Sequence, residues 1–195
     1  MATPINKSEY TYQKFIKLKL SDSYDDGDKT DETHILAIDA KTLYNIDAKK
    51  GELEKLKDID LRDKLIEMGA KHQDHDGEPA ITMYYKGTDQ LESIGYFKDG
   101  KRNDPEPGTA AYEEYDKETG NAKIRQFYKD GEYCDPQQGV PAKQVLTCKD
   151  GYIIEATSYP EGGSGKKLNQ DEIVKLNENK NICIALPNSL KKFEM

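Results

Sequence analysis

Apolar and polar positions alternate at the start of the chain, and the period then changes twice. Residues 9–20 (EYTYQKFIKLKL) alternate around Tyr10, Tyr12, Phe15, Ile16, Leu18 and Leu20, the pattern of a half-buried strand. Residues 21–32 (SDSYDDGDKTDE) carry six acids against one lysine and read as a solvated loop. Residues 34–38 (HILAI) supply a second strand that makes a hairpin with the first. From 40 to 70 the spacing becomes three to four, through Leu53, Leu56, Ile59, Leu61, Leu65 and Ile66. This predicts two helices, over 40–47 and 51–68, broken near Lys50-Gly51, with Gly69 as the stop.

Farther on, the chain matches itself at a shift of 31. Gly77, Gly108 and Gly139 fall in register, followed by Ala80, Ala111 and Ala142, then Tyr84, Tyr115 and Leu146. Leu91, Ala122 and Ile153 follow, then Phe97, Tyr128 and Tyr159, and Gly100, Gly131 and Gly162 close the three units. Each unit holds two short strand-like segments, for example 80–85 and 91–97, joined by a turn marked by Gly87, Gly120 or Gly151. The second turn, Asp99-Gly100 or Asp130-Gly131, pairs the residues favoured where φ must be positive. A Pro-rich link such as NDPEPG cannot continue a ladder and carries the chain to the next hairpin. One hairpin cannot bury its face alone, so the aromatic and small columns are expected to stack into a narrow continuous core with capped ends. The tail offers a helix near 169–177 and a strand near 182–186 as one cap.

The expected fold class is therefore α+β. It comprises an N-terminal strand-and-helix region (1–73), a tandem antiparallel β-hairpin repeat array (74–164) and a small C-terminal helix and strand cap (165–195). Apolar residues reach only 35% while charged ones reach 34%, yet 13 tyrosines supply amphipathic bulk, which fits thin, repeat-built architecture better than disorder.

The order Asp76-Gly77-Glu78-Pro79-Ala80, then Tyr84-Tyr85, then Tyr96-Phe97-Lys98-Asp99-Gly100-Lys101-Arg102 resembles bacterial and viral repeats written DGPA, strand, turn, WYxxGK. Those repeats are relatives of MORN-type repeats and occur in antitoxin-like proteins. The resemblance covers residues 74–162. It departs from the pattern in having no Trp, in Gly108-Thr109-Ala110-Ala111 of the middle unit, and at Ser158 of the third. It implies a β-hairpin array used for contact with other macromolecules, and it implies no catalytic residues.

With 37 acids against 29 bases the net charge is −8, which opposes binding to nucleic acid or to an anionic membrane. No stretch approaches membrane-spanning length. Cys134, Cys148 and Cys183 are odd in number and lack metal-ligand spacing, which points to a reducing compartment. The expected location is the cytoplasm, or a host's cytoplasm for a secreted effector or phage-borne protein.

His72-Gln73-Asp74-His75-Asp76 crowds two histidines and two acids where helix gives way to the first repeat. A metal or acid–base site is conceivable there, while Asp76-Gly77 serves a turn. The acids at Asp22, Asp25, Asp26, Asp28, Asp31 and Glu32 fail the EF-hand order. Gly162-Gly163-Ser164-Gly165-Lys166-Lys167 lacks the upstream glycine of a phosphate loop and reads as a flexible linker. No catalytic residue, metal or cofactor is expected. The binding candidates are Tyr85, Tyr112 and Tyr133, which do not recur as a column and suit an exposed surface, together with Asp25, Asp26, Asp28 and Asp31, which suit a basic partner. The preferred reading is a non-enzymatic protein–protein interaction module, an inhibitor or effector that docks a protein partner through its repeat face and acidic flank. The alternatives are an enzyme with a site near His72 and His75, and a MORN-like binder of lipid headgroups.

Overall fold

The computed structural model describes residues 12–25, 28–160 and 163–178. Their sheet is antiparallel throughout and follows chain order, a meander of successive hairpins. Strands β1 (Lys14–Asp25) and β2 (Asp28–Ile38) pair first, and three helices follow, α1 (Ala40–Ala48), α2 (Lys50–Leu53) and α3 (Asp58–Glu67). A short β3 (Lys71–His72) returns to β2. The three hairpins are β4 (Ile81–Tyr85) with β5 (Leu91–Gly95), β8 (Tyr112–Tyr115) with β9 (Ala122–Gln126), and β12 (Lys143–Leu146) with β13 (Ile153–Ser158). Between them stand two two-stranded ribbons, β6 (Phe97–Lys98) with β7 (Lys101–Arg102) and β10 (Tyr128–Lys129) with β11 (Glu132–Tyr133). The chain ends with β14 (Lys166–Lys167) on β13 and helix α4 (Gln170–Glu178).

Several expectations change. The acidic segment is not a loop: after a register shift between Leu20 and Ser23 the ladder runs on to Asp25 opposite Asp28. Residues 30–34 are also paired on their other side to β4, so their backbone is committed to the sheet. Instead of one helix over 51–68 there are two, because a turn after Leu53 redirects the chain and Asp58 enters α3 at φ 46°. The break lets Leu53 and Leu65 reach the same cluster around Leu36 and Ile38. Gly69 does follow the helix end, at φ 111°, where a side chain would strike Thr42. Rather than a flexible linker, 166–167 form an edge strand. The strand expected near 182–186 lies outside the described residues.

Register gives the two faces of the sheet different contents. On one, Ile94, Glu113, Arg125, Gln144 and Ala156 are successive cross-strand neighbours, and all are buried. Alternation puts two rows on the opposite face. Glu32, Met83, Ser93, Glu114, Ile124, Val145 and Glu155 are opposed in turn, as are His34, Ile81, Gly95, Tyr112, Gln126, Lys143 and Thr157. Helices pack at the sheet's two ends, α3 against β1 and α4 against β13. Ile81, Met83, Tyr112, Ile124 and Val145 stay half-buried. The edges carry Lys14, Lys17 and Lys19 at one side and Lys166 and Lys167 at the other, charges that discourage edge-to-edge pairing.

Each hairpin is pinned at both ends by a recurring carboxylate. Asp74 Oδ1 accepts the backbone N–H groups of Ala80 and Phe97, both at 2.9 Å. Asp104 Oδ1 accepts those of Ala111 and Tyr128 at 2.9 Å, and Asp135 Oδ1 those of Ala142 and Tyr159 at 2.7 Å. Each tie joins the start of one hairpin to the end of its second strand. In the third unit the Ser158 hydroxyl also donates to Asp135 Oδ2, so the residue that breaks the aromatic column reinforces the tie. At Asp99-Gly100 and Asp130-Gly131 all four residues have positive φ, as the ribbon turns require.

Burial raises the carboxyls of Asp74 and Asp104 to about 6, against the pull of the backbone donors. The folded chain therefore holds these protons more tightly than the unfolded chain. Their contribution to stability is full below the ordinary carboxylate range and declines as pH rises to about 6. Asp104→Asn keeps the accepting oxygen and should remove that residue's share of the pH dependence in urea titrations. Asp104→Ala strands two N–H groups and should cost about 1–3 kcal/mol. In the buried row, Arg125 Nε lies 2.8 Å from Glu113 Oε1, and the Tyr115 hydroxyl donates to Glu113 Oε2 at 2.7 Å. Glu113→Ala should destabilise by about 3–5 kcal/mol, while the double change Glu113→Leu with Arg125→Met should recover most of that loss.

Candidate functional site

The ribbons place planar groups in alternation along one margin of the half-exposed face. The His72 and Phe97 ring centroids lie 5.3 Å apart. The Arg102 guanidinium carbon lies 5.9 Å from the Phe97 centroid and 5.6 Å from that of Tyr128. Tyr128 stacks on Tyr133 at 4.4 Å, and Tyr133 on Tyr159 at 4.9 Å. Two columns interleave here. Phe97, Tyr128 and Tyr159 form the one predicted as stacking core, and they are half-buried. The second is His72, Arg102 and Tyr133, which are equivalent because each lies two residues before a tying aspartate.

Sequence reasoning missed the second column because its residue types differ and because the first step is 30 residues rather than 31. The usable signal was Asp104-Pro105 against Asp135-Pro136, which aligns with Asp74-His75 once one residue is dropped from the first link.

At its N-terminal end the ladder meets a buried polar cluster. Glu32 and His34 point to one side of β2, and His34 Nε2 lies 2.7 Å from Glu32 Oε2. His34 Nδ1 lies 3.0 Å from His72 Nε2, and Arg62 of α3 reaches Glu32 Oε2 at 3.5 Å. With Glu32 accepting from the Nε2–H of His34, Nδ1 of His34 is left to accept from the Nε2–H of His72. Among the described residues, no group of three or more His, Cys, Asp and Glu side chains is placed to hold a metal ion.

His72 and His75, named above as an alternative site, take different partners. His75 stacks on Phe15 at 3.8 Å and faces Asp76 at 3.3 Å, because β3 turns His72 toward β2 while His75 begins the link.

The other predicted binding residues fall into separate settings. Tyr85 is not exposed: it is 9% accessible, and its hydroxyl donates to the Tyr115 carbonyl at 2.8 Å, a strut between hairpins. Burial raises its hydroxyl pKa. Tyr112 is half-buried on the outward row, with the Arg102 guanidinium 4.4 Å from its ring. Tyr133 is half-buried within the ladder and so does belong to a column. Asp31 lies on β2 opposite Tyr84 and accepts from Gly87 N at 3.5 Å, while Asp25 and Asp28 are register partners in the β1–β2 ladder. Asp26 lies outside the described residues.

Beside Arg102 a groove of about 350 Å³ opens on the outward face, lined in part by Glu32, Met83, Ser93, Phe97, Arg102 and Tyr112. The Phe97 ring covers Gly95, where an added Cβ would come within 3.1 Å of it. The groove therefore combines apolar surface from Met83 and Phe97 with the polar groups of Glu32, Ser93 and Arg102.

Burial, followed by the neighbouring His34 and Arg62, lowers His72 to about 4 from the ordinary 6.5. The unfolded chain binds this proton more readily, so the stability held above pH 6.5 is lost as pH falls toward about 4. His72→Phe keeps a ring against Phe97 but cannot titrate. In denaturant titrations at pH 7 and pH 4, the stability difference between wild type and this variant should shift by on the order of 2 kcal/mol in the variant's favour at the lower pH. The aspartate contributions are common to both proteins and cancel. No protein-family model, no curated protein and no solved structure matches the chain, so the geometry of the site is what bears on its function.

Proposed function

We propose that the chain is a non-enzymatic protein-interaction module, a tandem array of MORN-like β-hairpin repeats that docks a basic protein partner and blocks it, as an inhibitor or effector does. The observation that carries this reading is the outward face of the sheet. Its two cross-strand rows keep Ile81, Met83, Tyr112, Ile124 and Val145 half-buried. Charged side chains lie among them, including Glu114 paired to Lys123 at 2.6 Å. Apolar and aromatic anchors among polar neighbours are the composition of a docking patch. The net charge of −8 and the acids of the β1–β2 hairpin favour a basic partner and make encounter salt-sensitive. No helix among the described residues is long and apolar enough to cross a membrane.

Affinity capture from source-cell lysate, followed by titration of the purified captured protein, tests the reading. Ile124→Glu with Val145→Glu should abolish binding. Asp25→Asn with Asp28→Asn and Asp31→Asn should slow association and flatten its salt dependence. Binding unchanged by both sets, or robust sedimentation with vesicles of anionic phospholipid at physiological salt, would overturn it in favour of another surface or of lipid headgroups.

A further inference from the structure

The chain has three arginines, and two have carboxylate partners: Arg62 with Glu32 and Asp63, and Arg125 with Glu113. Among the described residues Arg102 has no carboxylate partner. Its edge makes a long contact from Nη1 to Gln126 Oε1, at 3.5 Å, and a side-chain hydrogen bond with Tyr128. The rings of Phe97, Tyr112 and Tyr128 lie around its Cζ at 5.9, 4.4 and 5.6 Å. Those rings attract the cation, yet two polar partners cannot satisfy five N–H donors that lie in the guanidinium plane. The equivalent ladder positions, His72 and Tyr133, show that the stack requires a planar group there and not a positive charge. Arg102 also lines the groove, where Ser93, only 3% accessible, contributes to the floor and Met83 and Phe97 supply apolar surface.

We propose that this groove seats the carboxylate of an acidic side chain of the docked protein on the edge of Arg102, with that side chain's methylenes against Met83, Phe97 and Tyr112. A fork of parallel N–H donors matches a carboxylate in both shape and charge. A phosphate fits less well, since one guanidinium faces the groove together with Glu32 in a chain of net charge −8. A basic surface carrying one acid satisfies both ends of the module: the hairpin acids steer it, and Arg102 sets its register.

The site rests on the docking reading for what carries the carboxylate, and a free probe separates the two. The probe is N-acetyl-glutamate N-methylamide, titrated into the isotopically labelled full chain while the Arg102 Nε–H resonance and, in wild type and variants alike, the backbone amide resonances of Met83, Ser93 and Tyr112 are followed by NMR. A saturable shift at millimolar probe is expected. The blocked glutamine analogue should bind about tenfold more weakly, as loss of a charge-assisted pair implies, and Arg102→Gln should abolish the response. If that variant's spectrum shows loss of fold, Arg102→Lys, which keeps the charge but not the planar fork, should still weaken binding severalfold. No saturable shift, an equal response to the glutamine analogue, tighter binding of inorganic phosphate, or unchanged probe binding in either variant would overturn the site. Partner capture that depends on Ile124 and Val145 without probe binding would leave the docking face standing and remove only this site. Probe binding without such capture would do the reverse.

Discussion

A single carboxylate oxygen that takes two backbone N–H groups at once is the constraint on which the array depends. Asp74, Asp104 and Asp135 each stand at the start of a link, and each holds both the residue that opens the next strand and the residue that follows the hairpin's second strand. Links of this kind are rich in Pro and Gly and have no ladder of their own, so their backbone donors need partners from side chains. The carboxylate pins each link to both ends of the hairpin that follows it, and so helps to set the alignment of the columns built on the hairpins. Its cost is burial of an acid, visible in the raised values at Asp74 and Asp104. Two charge-assisted hydrogen bonds offset only part of that cost.

Once the hairpins are aligned this way, the two faces cannot serve the same purpose. A sheet this thin buries one face and leaves the other available. The buried row carries Glu113, Arg125 and Gln144 beside Ile94 and Ala156, a polar content that hydrophobic stacking alone would not select. The pair Glu113 and Arg125 joins adjacent strands in the middle hairpin, Tyr115 completes the carboxylate's bonds, and Gln144 Nε2 donates to the Pro141 carbonyl at 3.0 Å. Satisfied groups of this sort specify register more than they add stability, since a one-residue slip would leave each of them unpaired. The end helices then close what the hairpins leave open, with Leu65 of α3 packed against Leu36 and Ile38, and Ile173 of α4 against Ile153 and Ala156.

The hairpins, their turns and their small columns were legible in the sequence because Ala80, Ala111 and Ala142 keep both type and spacing, and all are fully buried. The positive-φ turns were legible for the same reason, since only a few residue types suit them. The acidic hairpin was misread because net composition spoke for solvent, while Asp26-Gly27, the dipeptide favoured in two-residue hairpin loops, spoke for a continued ladder. The helix over 51–68 was misread because period alone does not show where a chain must turn to bring Leu53 and Leu65 to one cluster. His34, Glu32 and His72 could not be joined from spacing at all. They meet because β3 returns to β2 after three helices, a long-range pairing with no local signature.

The ladder combines the two kinds of information. Its Phe97, Tyr128 and Tyr159 column keeps its aromatic character, while the interleaved column accepts histidine, arginine and tyrosine in turn. What those three share is a flat group of similar thickness, so the stack selects for shape and is indifferent to charge and proton content. A position constrained in shape alone can change its chemistry without disturbing the columns on either side. The histidine of this column sits beside a buried carboxylate and a second imidazole, and the arginine beside a groove, while the tyrosine is enclosed by two other rings. The polar chemistry of the ladder is thus concentrated where the architecture asks for planarity and nothing else, at the first two members of the column that breaks the 31-residue period.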